Sequence, residues 1–247
     1  MTDKLALVTG ASSGIGAASA RALAAAGFHV ICAARRLDRL QALAAEIGGQ
    51  AVQCDVTDAE SVAALVPVVG DRLDLLVNNA GGALGLDRLE ETDLDEWDTM
   101  YQTNVLGAAR VTQALLPALK QAQGMAIFIT STAADSTYEG GGGYCGAKVA
   151  ERMVAGALRL EFNELPIRIC EIAPGLVKTD EFALTRFHGD KDKAEAVYEG
   201  VPSPLVAEDI AETVAWVATR PAHVNVDRLV IRPVAQAANW KVFRGRF

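Results

Sequence analysis

The run Leu5-Ala6-Leu7-Val8, followed at once by Thr9-Gly10-Ala11-Ser12-Ser13-Gly14-Ile15-Gly16 and an alanine-rich stretch, restricts this chain more than any other feature. A short, unbroken apolar run is what a strand needs when both its faces are covered, as in a parallel sheet, and the stretch after it reads as a helix. Each glycine has a task. Gly10 permits the tight exit from the strand, Gly14 lets a phosphate approach the backbone, and Gly16 lets helix and strand pack closely. A pyrophosphate would rest on the helix N-terminus, where free amides and the dipole favour negative charge. The same residues also fit an ordinary strand-to-helix connection, so the rest of the chain must separate the two readings.

That remainder repeats the alternation. Strands are predicted at Val30-Ile31-Cys32-Ala33-Ala34, Ala51-Val52-Gln53-Cys54, Leu73 to Val77, Met125 to Ile129, Ile167 to Ile172 and Arg228 to Ile231. Helices fall between them: Leu37 to Ile47, one begun at Thr57 or Asp58, a long one over Leu94 to Gln121, one from Tyr144 to about Glu164, and Ala207 to Thr219 with Trp216 expected to be buried. Seven strands and about six helices predict one doubly wound, mainly parallel α/β domain covering residues 1–247. Residues 178–204 lose the alternation and gain charge, as a substrate lid would. The tail, 236–247, carries Trp240, Phe243 and Phe247 and is expected to dock on a neighbouring subunit.

Composition removes several functions. A net charge of -8 opposes broad nucleic-acid or anionic-membrane binding, since both require a positive field. No apolar run is long enough and free enough of charge to span a bilayer, and Met1-Thr2-Asp3-Lys4 does not open a signal peptide, so the cytoplasm is expected. Cys32, Cys54, Cys145 and Cys170 lack Cys-x-x-Cys spacing, and His29, His188 and His223 are far apart. Buried thiols and no metal site are expected.

Chemistry concentrates at the C-terminal ends of the strands, the edge where open α/β sheets bind ligands. Arg35-Arg36 end the second strand, where arginine accommodates a 2′-phosphate and an acidic residue would bind ribose hydroxyls; Ala34 leaves no carboxylate there. Asp55-Val56 end the third strand, and Asn78-Asn79-Ala80-Gly81 the fourth. Asn104 is a polar residue within a helix, explained either by function or by bonding to local backbone. Ser131 ends the fifth strand. Tyr144 and Lys148 are four apart, on one helical face, which fits either an acid/base pair or an incidental surface pair.

Thr9-Gly10-x-x-x-Gly14-Ile15-Gly16, Asn78-Asn79-Ala80-Gly81, Asn104, Ser131, Tyr144-x-x-x-Lys148 and Pro174-Gly175, in that order across nearly the whole chain, resemble the short-chain dehydrogenase/reductase family. The resemblance implies Tyr144 as proton donor or acceptor, with Lys148 favouring its phenolate and binding the nicotinamide ribose. Ser131 would orient the carbonyl and Asn104 support a proton-relay water. NADP(H) is the implied cofactor. It would be held by Gly10, Ser12, Ser13, Gly14, Ile15 and Gly16, by Arg35, Arg36, Asp55 and Val56, by Asn78, Ala80 and Gly81, by Tyr144 and Lys148, and by Pro174, Gly175, Val177 and Thr179. Family members are often homotetramers or dimers.

A finer likeness lies in the C-terminal third, where Glu181-Phe182, Arg186-Phe187-x-Gly189-Asp190, Tyr198 and Pro233-Val234-x-Gln236 resemble the NADP-dependent 3-hydroxy acid dehydrogenases that oxidise serine or allo-threonine. A small polar alcohol or carbonyl is then the expected substrate, and Arg186 the residue that clamps its carboxylate, unless it pairs with Asp190 or Glu181 instead. Ala134-Asp135 and the bare run Gly140 to Gly143 depart from the pattern beside the expected substrate pocket. A 3-oxoacyl or biosynthetic ketone reductase is the enzymatic alternative, and a non-catalytic NADP-binding sensor or scaffold the alternative of another class.

Overall fold

The computed structural model describes residues 4–247, so Met1-Thr2-Asp3 of the N-terminal reading lie outside the described residues. The chain runs β1 (Lys4–Thr9), α1 (Gly14–Ala25), β2 (Phe28–Ala34), α2 (Leu37–Ile47), β3 (Gln50–Gln53), α3 (Ala59–Ala63), α4 (Leu65–Val69) and β4 (Leu75–Asn78). It continues with α5 (Leu94–Tyr101), a π-helical turn over Gln102–Gly107, α6 (Ala108–Ala122), β5 (Met125–Ile129), a 3₁₀ turn over Thr132–Ala134, α7 (Gly142–Glu161) and β6 (Arg168–Pro174). Last come α8 (Phe182–Arg186), α9 (Lys191–Ala196), α10 (Ala207–Ala218), β7 (Arg228–Ile231) and a hairpin, β8 (Gln236–Ala238) with β9 (Lys241–Val242).

Seven strands form one sheet in the order β3-β2-β1-β4-β5-β6-β7, with every pairing parallel. Strand alternation divides the core into two layers. Ala6 and Val8 of β1 and Ile127 of β5 face Leu23 of α1, Leu40 of α2 and Ile210, Val214 and Val217 of α10. Leu7, Leu76 and Phe128 face the other way, toward Leu65 of α4, Val111 and Leu115 of α6 and Ala155 of α7. The order reverses between β1 and β4, and a crevice opens there beyond the strand ends.

Three expectations change. The predicted helix over 94–121 is two helices joined by the π turn, and α7 stops at Glu161 rather than near Glu164. Trp216 is 48% exposed, its ring 4.6 Å from the Arg220 guanidinium, because the buried stripe of α10 runs through Ile210, Val214 and Val217. Residues 178–204 hold no strand, in keeping with the lost alternation, but two short helices, α8 and α9, the latter capped by Asp190 accepting from the Lys193 amide.

Candidate active site

The strand ends open onto a cleft of about 460 Å³ that runs from Arg36 past the glycine turn to Tyr144 and Arg186. The glycine turn is fixed from below. Thr9 Oγ1 donates to the Val77 carbonyl at 3.2 Å and accepts from the amides of Asn79 and Ala80, both at 3.0 Å. Asn79 Nδ2 answers by donating to the Thr9 carbonyl at 2.9 Å. These bonds join the exits of β1 and β4 across the crevice. Both residues belong to the sequence motifs, but the bonds between them join segments far apart in the chain and have no signature there.

Gly10, Ser12, Ser13, Gly14 and Ile15 line the cleft as expected. Gly16 lies beneath it: a Cβ there would come within 2.3 Å of the Gly10 carbonyl oxygen, which is the close helix-to-strand packing its position predicts. Gly10 adopts φ +66, and a Cβ on it would strike Asn79 and Ala80. Asp55, Val56, Ala80, Gly81, Pro174, Gly175, Val177 and Thr179 also reach the cleft. Asn78 does not. It ends β4 on the same face as Leu76, so its Nδ2 donates to Thr112 Oγ1 on α6 at 2.9 Å, and Asn79 lines the cleft in its place.

At the β2 end both arginines line the cleft, but Arg36 makes the contacts. Its Nη2 donates to Ser12 Oγ and Ser13 Oγ, each at 2.9 Å, and its Nη1 and Nη2 hold the two carboxylate oxygens of Glu181 at 2.8 Å. Arg39 Nη1 also donates to Glu181. Arg36, then burial's opposing push, then Ser13 and Arg39 set the Glu181 carboxyl, which falls to about 2. This donor set fits the phosphorylated ribose of NADP(H), because it already holds an anion. The Glu181 carboxylate stands where a phosphate could compete.

At the other end sit the groups expected to carry the chemistry. Tyr144, Lys148 and Ser131 line one stretch of cleft wall. The Lys148 Nζ lies 6.0 Å from the centre of the Tyr144 ring and donates to the Ile129 carbonyl at 3.0 Å and to Glu151 Oε2 at 2.7 Å. Burial pulls the Lys148 ammonium down, but the charges of Glu151 and Tyr144 outweigh it and the net shift is upward. Ser131 Oγ accepts from the Ala133 amide at 3.1 Å and keeps its own hydrogen for a weak, 3.5 Å bond to the Pro174 carbonyl.

Asn104 is fully buried in the π turn and does not touch the cleft. Its Nδ2 donates to Met100 O at 2.8 Å and Gly82 O at 3.0 Å, while Oδ1 accepts from the Gly82 amide at 3.1 Å. The wider turn is what aims this amide at the Gly82 loop, a conformation with no signature in the residues themselves.

Arg186 pairs with neither Asp190 nor Glu181. Its Nε donates to the Gly85 carbonyl at 2.9 Å and its guanidinium lies 5.4 Å from the Tyr138 ring and 5.8 Å from the Tyr144 ring. The buried Nη2 has no hydrogen-bond partner, and the residue lines the cleft beside Tyr144. The glycine run is packing: Cβ atoms on Gly142 and Gly143 would meet the Trp97 indole at 2.8 and 2.5 Å, and one on Gly141 the Tyr138 ring at 2.5 Å. Asp135 points away from the cleft, to Arg152, Arg228 and Arg232. All four cysteines are free and buried, and burial pushes the Cys145 thiol up, which suits an inert side chain. Among the described residues no group of three or more His, Cys, Asp or Glu side chains could hold a metal, and no helix is long and apolar enough to cross a membrane.

Residues 4–187 match the short chain dehydrogenase family. The chain belongs to that family. An uncharacterized oxidoreductase of Mycobacterium tuberculosis is 54% identical over 95% of this chain and 93% of its own length. An NADP-dependent 3-hydroxy acid dehydrogenase of Salmonella typhi is 40% identical over 94% and 95%. The closed form of a serine dehydrogenase complexed with NADP⁺ superposes with a TM-score of 0.90 at 38% identity, covering 94% of this chain and 96% of that one. The single α/β domain and its parallel seven-stranded sheet are those of a family member.

Proposed function

We propose that this short-chain dehydrogenase interconverts a small polar 3-hydroxy acid, such as serine, allo-threonine or 3-hydroxypropionate, and its carbonyl with NADP(H), as a cytoplasmic homotetramer or dimer. The observation that carries the substrate class is the unpartnered Arg186 Nη2 beside Tyr144, in the same cleft wall as Ser131 and Lys148. A guanidinium held by its Nε, with another nitrogen free, suits a carboxylate and gives an uncharged alcohol nothing to bind.

The nicotinamide, when bound, supplies the hydride acceptor or donor. Tyr144 takes the alcohol proton, or returns it to the carbonyl oxygen. Lys148 binds the nicotinamide ribose when the cofactor is present, and Ser131 donates to the oxygen on which charge develops. Asn104 keeps a role in the proton relay through the second lone pair of Oδ1, both its amide hydrogens being committed. Arg36, Ser12 and Ser13 read the 2′-phosphate. Residues 178–204 form the lid, latched to Arg36 at the end of β2 by Glu181 and to the Gly85 loop by Arg186.

Association is supported by apolar side chains left in solvent: Leu106, Val149, Met153 and Leu160 on the π turn and α7, and Trp240, Phe243 and Phe247 in the tail. An NADP⁺ reduction screen over serine, allo-threonine, 3-hydroxypropionate, 3-hydroxyisobutyrate and uncharged alcohols tests the function. Turnover of a hydroxy acid is expected, abolished in Tyr144→Phe with NADPH binding retained; a Phe variant with substantial activity removes Tyr144 from the chemistry.

A further inference from the structure

Helix α7 carries two charged side chains deep on its buried face, and the function above uses only one. Lys148 lines the cleft, whereas Glu151, three residues on and therefore on the same face, does not. The Lys148 and Glu151 side chains are 5% and 2% exposed, and their 2.7 Å contact ties the cleft to the charged groups behind it. We propose that Glu151 is a positioning residue of the active site, whose carboxylate keeps the Lys148 ammonium charged and seated beside the Tyr144 ring. The inference rests on the roles given above to Tyr144 and Lys148.

Burial alone discharges a lysine, because the ammonium loses its water. The other acceptor of Lys148, the Ile129 carbonyl, is neutral. Glu151 is therefore the hydrogen-bonded partner that opposes discharge, with the charge of Tyr144 adding to it. A pair kept only for stability would be a poor choice here, since apolar residues of similar volume commonly serve as well in a core. A lysine that must face the cleft and stay charged has no apolar substitute, and this gives the carboxylate behind it a function.

The other charges nearby are occupied. Tyr144 and Arg152 face this region from α7, Glu171 from β6, Arg228 from β7 and Asp135 from the end of the 3₁₀ turn. Glu171 accepts from Thr130 Oγ1 at 2.7 Å and lies 3.1 Å from Arg228 Nε and 3.7 Å from Arg152 Nε. Asp135 takes the outer ends of Arg152 and Arg228. No arginine contact competes with Lys148 for Glu151. Burial pushes the Glu151 carboxyl up to about 7 against the pull of Lys148, with the Glu171 charge adding to the push. The pair is ionic on the alkaline side of that value and loses its negative partner as the pH falls through it.

The test is a side-chain NMR titration of lysine-labelled, cofactor-free chain, in which seven lysines are assigned by substitution. Lys148 is expected to titrate above the ordinary lysine value of 10.5 in the parent and below the parent in Glu151→Gln. In steady state the Gln variant should lose about tenfold in kcat, more than in KM for the hydroxy acid, and lose the parent's inflection near 7; Glu151→Asp should recover part of the loss. An unshifted Lys148 in the Gln variant overturns the proposal. If that variant does not fold, the parent titration decides alone, because a Lys148 that discharges below 10.5 refutes a charge held by Glu151. A chain with the expected Lys148 shift but no hydroxy-acid turnover overturns the functional reading and leaves Glu151 as the residue that holds the lysine.

Discussion

Valine at position 9 has nearly the shape of threonine and lacks its hydroxyl, so Thr9→Val isolates the bond that joins the two halves of the crevice. Thr9 is 2% exposed, and its Oγ1 is the acceptor for the amides of Asn79 and Ala80. Both of those residues are only partly buried, so each orphaned amide is placed at the low end of the desolvation range, about 1 kcal/mol. Losing the donation to Val77 O adds up to about 1 kcal/mol, for a total of roughly 2–3 kcal/mol. For a chain of this length that lowers the melting temperature by about 4–12 °C. Thr9→Ser keeps the oxygen and loses one methyl, about 1 kcal/mol. The assay is thermal unfolding of both variants beside the parent, with NADPH binding measured by fluorescence. Binding should weaken in the Val variant, because Asn79 and Ala80 line the cleft, and recover in the Ser variant. A Val variant that melts within a degree of the parent, or a Ser variant as damaged as the Val one, would show that the hydroxyl does not hold the turn.

Three further outcomes follow from the same geometry. Arg36→Ala should weaken NADPH about tenfold or more and leave NADH nearly unchanged, with Arg35→Ala milder, since Arg36 alone of the two joins Ser12, Ser13 and Glu181; equal losses for NADPH and NADH would refute phosphate reading. Arg186→Ala should cost a hydroxy acid about a hundredfold in kcat/KM and an uncharged alcohol far less, as measured over the substrate panel; an equal loss on both removes the carboxylate clamp. Glu181 has a folded carboxyl lowered from 4.5 to about 2, so its latch is present above 4.5 and is lost as the pH falls toward 2. Pepsin cleavage near Phe182 should therefore accelerate over that interval relative to Glu181→Gln, which lacks the charge at every pH; parallel rates in the two chains would exclude the latch. The side chains of Arg36 and Glu181 are 41% and 29% exposed, so the latch adds little to global stability and its effect is confined to the lid.

What the sequence discloses depends on how local the cause is. β1 and β5 read as strands because covering both faces of a parallel sheet demands unbroken apolar runs, and both are buried through the middle of the sheet. Tyr144 and Lys148 read as a pair because one helical turn relates them. The Glu181 latch is illegible at that level: 145 residues separate it from Arg36, and only the folding back of the segment after β6 brings them together. The π turn at Asn104 and the closing of Thr9 onto β4 are likewise consequences of assembly.

Other misses had a local signal that was open to reading. Alternation along β4 places Asn78 with Leu76, facing α6, and so hands the cleft to Asn79. The period of α10 passes through Ile210, Val214 and Val217 and leaves Trp216 off the stripe. The same count on α7 runs through Tyr144, Lys148, Glu151 and Ala155, all buried, and puts a carboxylate where a core helix has no use for one. A glutamate on such a stripe needs a cation of equal burial, and the sequence offers Lys148 one turn before it. Periodicity alone thus points from the acid/base pair to its counter-charge, and the 2.7 Å contact supplies the geometry that periodicity lacks.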